Sequence, residues 1–289
     1  ASKSGQVKSG DRIIGVAQDG EKMVDVIGWP SNEIVGLIRG KRGTKVTIRL
    51  LGSGAPMSQA RNVTITRDVI QEEDAGVRSR TVNVARDGQQ YTFGVIEIPS
   101  FYLNYRARRA GTEYRSVSED TNNALKTLAA KNVSGIIIDL RNNPGGSLEE
   151  VARMLGQVIK SGPVVQIRDG NGNVSVFEDD DNGAQTYAGP LAVMVNLASA
   201  SASEIYSAAI QDYERGIVIG STTTGKGTAQ VQLDNLAHGQ ATLTQRKFYR
   251  VTGGSTQNKG VIPDVKLVDI YNEEFGERKA KNALVWDTI

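Results

Sequence analysis

The chain has 289 residues, of which 39% are hydrophobic and 23% are charged. This composition is typical of a soluble globular protein with enough chain for two domains. The formal net charge is only +2 and cysteine is absent. The sequence therefore gives no support for binding to nucleic acid or an anionic membrane, and it excludes disulfides, thiol catalysis and cysteine-ligated zinc. It contains no apolar run long enough to span a bilayer and no signal peptide at residue 1.

The first 68 residues read as short strands around one helix. Strands are predicted at 11–16, 45–50 and 62–66, where apolar and polar residues alternate or an apolar run is short. A helix is predicted over 31–39, with Ser31 as its cap. In that helix Ile34, Val35 and Ile38 would share one face. The polar stretch 69–91, rich in Arg, Asp and Gln, is interpreted as a linker.

From residue 92 to 268, apolar strands alternate with helical patterns, which predicts a layered α/β core. The predicted strands are 94–98, 135–140, 191–196 and 216–220, and the predicted helices are 119–131, 148–159 and 202–213. Residues 169–185 are interpreted as a polar excursion, in which the acidic run 179–181 is a solvated loop. Residues 269–289 are assigned to a carboxyl-terminal extension.

The single histidine, His238, lies in a loop-like stretch and is interpreted as a surface residue. A Ser-His-Asp triad or a histidine-based metal site would have to include it. Any hydrolytic chemistry must therefore use another base.

Ser201 is the first candidate nucleophile because it lies between a strand and a helix, among small residues. Backbone N–H groups at a helix amino terminus stabilise developing negative charge, so the N–H after the serine could form half of an oxyanion hole. Taken alone, a serine at this position is more often a helix cap.

Lys226 is the candidate base. It lies between two glycines, Gly225 and Gly227, directly after a strand expected beside the one that precedes Ser201. Burial lowers the pKa of a lysine because desolvation penalises its charged form. An enclosed Lys226 could then accept the serine proton, although a surface lysine in a glycine turn is the simpler interpretation.

The turn Arg-Asn-Asn-Pro-Gly-Gly at 141–146 follows an apolar strand and precedes a helix. Such a turn exposes backbone N–H groups, and the second oxyanion donor could be Gly146, or alternatively Gly145. The same residues would also serve as an ordinary strand-to-helix turn.

Four motifs occur here in the order found in the tail-specific, or carboxyl-terminal processing, serine proteases. They are IIIDLRNNPGG, the SASASE stretch, a lysine in T-x-G-K-G and KFYRVTGGSTQNKGVIPDV. The chain resembles that family, and especially its periplasmic members in Gram-negative bacteria, because VKSGDRIIGVAQDG, DVIGW and NALVWD also fit.

The resemblance implies roles for individual residues. The middle serine, Ser201, would be the nucleophile, and Lys226 its base. Gln230 would orient and hydrogen-bond that lysine. Ala202 and Gly146 would be the backbone oxyanion donors. A further residue, Asp212, would support activity from a structural or more distant position.

The resemblance also implies a domain organisation: a truncated PDZ domain over 1–68, the linker 69–91, a Ser-Lys core of crotonase/ClpP-like layering over 92–268 and the extension 269–289. It implies a serine endopeptidase that cleaves unfolded or tagged proteins near their carboxyl termini, without metal or organic cofactor. A periplasmic location and a tetratricopeptide lipoprotein adaptor are implied as well. The mechanism leads us to expect a largely buried Lys226, near the Ser201 hydroxyl and in contact with Gln230.

Three other functions were weighed against parts of the sequence. The residues 220–226 match most of a phosphate-binding G-x-x-x-x-G-K loop, but such a loop opens a helix, whereas 228–233 alternates like a strand. A catalytically inactive PDZ-containing relative that only binds peptides is the alternative to the protease. Crotonase-like enzymes share the architecture without the Ser201 and Lys226 pair.

Overall fold

The computed structural model describes residues 5–68, 76–111, 114–178, 185–233, 241–270 and 276–289. The acidic run 179–181 and His238 lie outside these ranges. Contacts divide the chain into two units, Ala1–Glu72 and Glu73–Ile289. The division falls close to the domain boundary predicted at residue 68.

The first unit is a four-stranded antiparallel sheet with one helix. Its elements are β1 (Arg12–Gln18), β2 (Val24–Asp25), α1 (Ser31–Ile38), β3 (Lys45–Leu51), a 3-10 turn (Met57–Gln59) and β4 (Arg61–Thr66). The strand order is β2-β1-β3-β4. In β3, buried Val46, Ile48 and Leu50 alternate with more exposed residues, so one face of the sheet covers a small apolar core.

Helix α1 differs from its prediction at two places. Its N-cap is Pro30, and Ser31 is already helical and makes no capping hydrogen bond, because a capping side chain needs an extended backbone at its own residue. Ile34 and Ile38 pack against the core as predicted, whereas Val35 is exposed. Leu37 completes the buried face instead.

The described residues of the second unit form two sheets and four helices. Its strands are β5 (Arg78–Arg86), β6 (Gln89–Glu97), β7 (Gly135–Asp139), β8 (Pro163–Asp169), β9 (Val174–Glu178), β10 (Leu191–Val195), β11 (Ile217–Gly220), β12 (Thr228–Leu233), β13 (Ala241–Tyr249) and β14 (Val265–Lys266). Its helices are α2 (Tyr105–Arg109), α3 (Val117–Ala129), α4 (Leu148–Gly156) and α5 (Ala202–Asp212), and a 3-10 turn covers Glu277–Lys279. The mixed α/β class predicted from the sequence is confirmed.

The larger sheet has the order β14-β11-β10-β7-β6-β5, and its strands are parallel except β5. The smaller sheet is antiparallel, with the order β12-β13-β8-β9. Helices α3, α4 and α5 contribute buried apolar side chains to the same core as the larger sheet. No helix of the described ranges is both long and apolar enough to cross a membrane.

The linker predicted over 69–91 carries a hairpin instead. Strands β5 and β6 pair through a turn at Asp87 and Gly88, both of which have positive φ. An Asp-Gly pair favours this kind of tight turn. Strand β5 is almost wholly exposed, so its polar composition reflects exposure and not a lack of regular structure. Likewise, the first part of the segment 169–185, which was predicted to be a polar loop, lies in a hairpin formed by β8 and β9.

Three turns meet at one edge of the larger sheet because β7, β10 and β11 are parallel neighbours. The glycine turn (141–147) follows β7, the serine turn (196–201) follows β10, and the lysine turn (221–227) follows β11. In open sheets of this kind, ligands bind outside the carboxyl ends of the strands. The candidate catalytic residues lie on these turns.

Candidate active site

Ser201 is the last residue of the serine turn and immediately precedes α5. Its backbone angles are φ 56° and ψ −112°, a combination that costs a non-glycine residue about 1–3 kcal/mol. Ala202 is the first helical residue, so its N–H has no partner within the helix. The turn therefore presents a serine hydroxyl and an adjacent N–H at a helix amino terminus.

The three serines of the SASASE stretch have different surroundings. Ser199 and Ser203 are fully buried. The Ser199 hydroxyl donates to the Leu140 carbonyl at 2.8 Å, and the Ser203 hydroxyl donates to the Asn143 carbonyl at 2.9 Å. Ser201 is only half-buried, and no described main-chain carbonyl accepts its hydroxyl. Ser199 therefore ties the serine turn to the end of the β7 segment, Ser203 ties the start of α5 to the glycine turn, and Ser201 is the serine left for chemistry.

The glycine turn lies directly against Ser201. A Cβ atom added to Gly145 would lie 2.8 Å from the Ser201 Cβ and 3.0 Å from the Ala202 nitrogen. Gly145 and Gly146 have φ of 104° and 147°, which favours glycine at both positions. The Gly145 N–H donates to the Asn143 side chain at 2.9 Å. Gly146 and Gly145 were the two candidates for the second oxyanion donor. Of these, Gly146 is the one whose N–H forms no described hydrogen bond.

Asn143 holds the glycine turn in place, a role that the sequence analysis missed. The residue is fully buried, and its amide donates to the Ile98 carbonyl at 2.8 Å. The main-chain carbonyl of Asn143 accepts the Ala200 N–H at 3.0 Å. A buried polar side chain with every group paired fixes its loop in one conformation.

Glu204 joins the serine turn to the lysine turn. Its Oε2 accepts the N–H groups of Ser201 and Lys226, both at 2.9 Å. Its Oε1 accepts the Gly225 N–H at 2.8 Å and the Thr223 hydroxyl at 2.5 Å. Burial raises the pKa of Glu204 to about 7, against the opposing effect of these four donors. The Ser-x-x-Glu spacing of a capping box was the sequence signal for this residue.

Comparison with known proteins decides the family. Residues 92–267 match the sequence profile described as Peptidase family S41. The chain belongs to peptidase family S41. It is 41% identical over 298 residues to the tail-specific protease of Haemophilus influenzae, a match that covers 100% of this chain and 40% of that protein. It is 32% identical to the carboxy-terminal processing protease CtpA of Bacillus subtilis over 267 residues, covering 92% of this chain and 50% of CtpA.

The predicted resemblance to the tail-specific proteases is thereby confirmed, and the chain spans about half the length of these S41 relatives or less. Among solved structures, it is similar to the photosystem II D1 C-terminal processing protease, with a TM-score of 0.56 and 26% identity over 92% of this chain and 65% of the other. It shares its fold with mature CPAF at a TM-score of 0.53 and 15% identity, over 91% of this chain and 73% of CPAF.

The lysine turn differs in part from what we expected of an S41 dyad. Lys226 is partly buried, and within the described residues no hydrogen bond joins its Nζ to the Ser201 hydroxyl. Gln230 is exposed, and its amide faces the Thr244 hydroxyl at 3.5 Å. The expected contact between Gln230 and Lys226 stays a prediction, and Gln230 pairs in register with Thr244 on β13 after an irregularity in β12.

Asp212 lies at the far end of α5 from Ser201 and forms an ion pair with Arg250. The closest contact, between Arg250 Nη2 and Asp212 Oδ1, is 2.6 Å, and the Arg250 Nε also donates at 3.1 Å. The carboxylate is nearly buried, with 6% of its side chain exposed. In this S41 chain Asp212 thus fastens the end of α5 to the end of β13.

A cleft of about 530 Å³ opens at the carboxyl edge of the larger sheet, beside the candidate site. Charged and polar residues of several strand ends line it, among them Glu97, Asp139, Arg141 and Asp269. Ser201, Lys226 and Gly146 do not line it. Ser201, Lys226 and Gly146 therefore lie outside this cleft, although other residues of the same three turns, such as Asn196 and Ser221, line it. No group of three or more potential metal-ligating side chains occurs among the described residues.

Proposed function

We propose that this chain is a serine endopeptidase with a Ser201-Lys226 dyad that cleaves proteins near their carboxyl termini through an acyl-enzyme. One observation carries the proposal: a strained Ser201 at the start of α5 lies against a glycine turn, and the N–H groups of Ala202 and Gly146 form no hydrogen bond among the described residues. A strained backbone at a helix amino terminus is typical of an exposed nucleophile. Membership of family S41 supports the same chemistry.

In the acylation step, the Ser201 Oγ attacks the carbonyl carbon of the scissile peptide bond while its proton passes to the neutral amine of Lys226. The carbonyl oxygen becomes an oxyanion, which the N–H groups of Ala202 and Gly146 would stabilise. When the tetrahedral intermediate collapses, the C–N bond breaks. Protonated Lys226 then donates its proton to the leaving amine, which leaves an ester on Ser201.

Deacylation repeats these steps with water. Water attacks the ester carbonyl while Lys226 removes a proton from it. Lys226 then returns that proton to the Ser201 oxygen when the ester bond breaks. Both steps require the Lys226 amine near Ser201. The main chains of the two residues are already joined through Glu204.

We propose the substrates, partner and location from the relatives, whose names describe tail-specific and carboxy-terminal processing proteases. Substrates would be unfolded or tagged proteins, and a tetratricopeptide lipoprotein adaptor and a periplasmic location fit the Gram-negative members. The first unit, a sheet with one helix, fits the later half of a PDZ domain. The α/β layers of the second unit fit a crotonase/ClpP-like core.

The dyad is tested by reaction with a fluorophosphonate, a reagent that acylates activated serines, followed by peptide mapping. We expect the label on Ser201, no label in Ser201→Ala, and at least a 100-fold lower rate in Lys226→Ala, because acylation needs both groups. Cleavage of an unfolded protein should be lost in both variants. Ser161→Ala, an exposed serine of the same unit, should behave as the unchanged chain.

The competing function is that of an inactive relative that only binds peptides, and the missing hydrogen bond between Ser201 and Lys226 favours it. A folded chain that binds peptides but labels at no serine would establish that function. Labelling at a serine other than Ser201 would overturn the assignment of the nucleophile.

A further inference from the structure

Residues 276–289 lie beyond the part of the chain that matches the S41 family, which ends at residue 267, and the proposed reaction gives them no role. In the structure they contact two loops of the second unit. One is the lysine turn, which carries Lys226. The other is the Gln257 loop (252–260), which forms hydrogen bonds with the lysine turn at Gly225 and Gly227.

The start of this segment is held against the lysine turn itself. The Glu277 N–H donates to the Thr224 carbonyl at 3.1 Å, and the Arg278 guanidinium donates to the Thr223 carbonyl at 3.1 Å. At Gly276, whose φ is 100°, an added Cβ would lie only 2.9 Å from the Thr224 oxygen. The two main chains therefore approach closely just before Gly225.

Gln257 connects the segment to the far side of the lysine turn. It is 1% exposed, and its Oε1 accepts the Gly227 N–H at 2.9 Å while its Nε2 donates to Glu277 Oε2 at 3.2 Å. A carboxylate can only accept hydrogen bonds. Glu277 therefore selects the amide orientation in which the Gln257 oxygen faces Gly227. The Asn258 N–H adds a bond to the Gly225 carbonyl at 2.7 Å.

The end of the segment anchors the beginning of the Gln257 loop. The Trp286 indole N–H donates to the Ser255 carbonyl at 2.7 Å, and the Ser255 N–H donates to the Asp287 carbonyl at 3.0 Å. The Lys259 ammonium lies 3.2 Å from the centre of the Trp286 ring, in the geometry of a cation–π contact. Lys247 and Asp287 form an ion pair at 2.6 Å.

We propose that residues 276–289 position the base of the protease, with Glu277 and Trp286 as the positioning residues, by holding the Gln257 loop against the lysine turn. This inference rests on the proposed function of Lys226. Neither residue touches reacting atoms. A lysine between two glycines has a mobile main chain unless both sides of its turn are held. Glu204 holds one side and the Gln257 loop the other, which reduces the entropy lost when the amine approaches Ser201.

The test measures fluorophosphonate acylation of Ser201 in the whole chain, resolved into the reagent's binding constant and its maximal rate. Glu277→Ala should lower the maximal rate about tenfold, the effect of one lost hydrogen bond of about 1.4 kcal/mol, and leave reagent binding unchanged. Glu277→Gln keeps an acceptor and should stay within about threefold of the unchanged chain. Lys279→Ala, an exposed charge in the same turn, should have no effect.

A purely structural role would reduce the amount of protein that labels and leave the maximal rate of the folded molecules intact. Trp286→Phe keeps the ring on Lys259 and loses only the indole bond to Ser255, so we expect a smaller loss than in Trp286→Ala. Equal maximal rates for Glu277→Ala and the unchanged chain, with Ser201 still labelled in both, would overturn this inference and leave the dyad standing.

A second measurement does not depend on activity. Amide hydrogen exchange at Gly227, whose N–H is bonded to Gln257, should become about tenfold faster in Glu277→Ala and stay unchanged in Lys279→Ala. Unchanged exchange at Gly227 in Glu277→Ala would refute the inference even in a chain that cleaves nothing. Loss of labelling in the unchanged chain, together with faster exchange in the variant, would refute the proposed dyad instead.

Discussion

Ser201 holds a backbone conformation that other residues of the site must stabilise. Its N–H donates to Glu204, and the serines on either side of it donate to the main chain of Leu140, just after β7, and of the glycine turn. Each hydrogen bond contributes about 1 kcal/mol, and bonds to a charged group contribute more. Together they offset the strain at Ser201, so the nucleophile keeps its position without a bond from its own hydroxyl to a main-chain carbonyl.

Glu204 should make activity depend on pH near neutrality. When the carboxylate takes up a proton below its pKa of about 7, one of its four donors loses its acceptor, and the serine and lysine turns loosen. Glu204→Gln places an amide N–H against these donors. We expect acylation of Ser201 to fall about 10- to 100-fold, the effect of losing bonds to a charged group. The step in the rate profile near pH 7 should disappear.

The ionisation of Glu204 should also make the free energy of unfolding depend on pH. Its folded pKa lies above the ordinary value of 4.5, so its contribution is complete below pH 4.5 and is lost as pH rises to about 7. Measured free energies of unfolding should show that loss in the unchanged chain and not in Glu204→Gln. Glu150→Gln, at another fully buried glutamate, is the control. An unchanged rate profile in Glu204→Gln would contradict this role.

Gly145 should tolerate no side chain. Gly145→Ala forces a Cβ to within 2.8 Å of the Ser201 Cβ at a φ of 104°, so the turn must move away from the nucleophile. We expect a loss of about 1–3 kcal/mol of stability and at least a tenfold lower acylation rate. Gly172→Ala is the matched control, because Gly172 also has positive φ (90°) but open space around it. Equal rates in the two variants would show that the contact is unimportant.

At the scale of elements, α5 carries the nucleophile at its first turn and an ion pair at its last. Asp212→Ala removes the partner of Arg250, and we expect the free energy of unfolding to fall by about 2–3 kcal/mol, since the partly buried Arg250 guanidinium loses its counterpart. The acylation rate of folded molecules should stay within about threefold. Glu214→Gln, an exposed residue just beyond the helix, should change neither. A large loss of rate at unchanged stability would give Asp212 a direct part in the reaction.

At the scale of the whole molecule, each unit has its own apolar core. Leu50→Ala removes a fully buried side chain from the first unit, and Leu125→Ala does the same in the second. Each should cost about 2–5 kcal/mol in the unfolding of its own unit. We expect only Leu125→Ala to lower the temperature at which Ser201 labelling is lost. Equal shifts of that temperature in both variants would mean that the units unfold as one.

The sequence by itself predicted most of the strands and helices of both units, because their apolar periodicity is local. It also predicted that the turns carrying Ser201 and Lys226 follow neighbouring strands. The order of the four motifs along the chain was sufficient to indicate the family. The predictions failed where composition was misleading, as in the exposed hairpin of β5 and β6, whose polar residues have the composition of a linker.

The tertiary structure determined which groups form hydrogen bonds and contacts with those turns. It gave Glu204 four donors from two distant turns, used the Gly145 N–H inside the glycine turn, and directed Gln230 toward β13. It also brought residues 276–289 against the lysine turn. Most of these contacts join residues that are far apart in sequence or depend on strand register, and the apolar periodicity of the sequence does not contain that information. A buried carboxylate acquires its partners, and its pKa, only when the chain is folded.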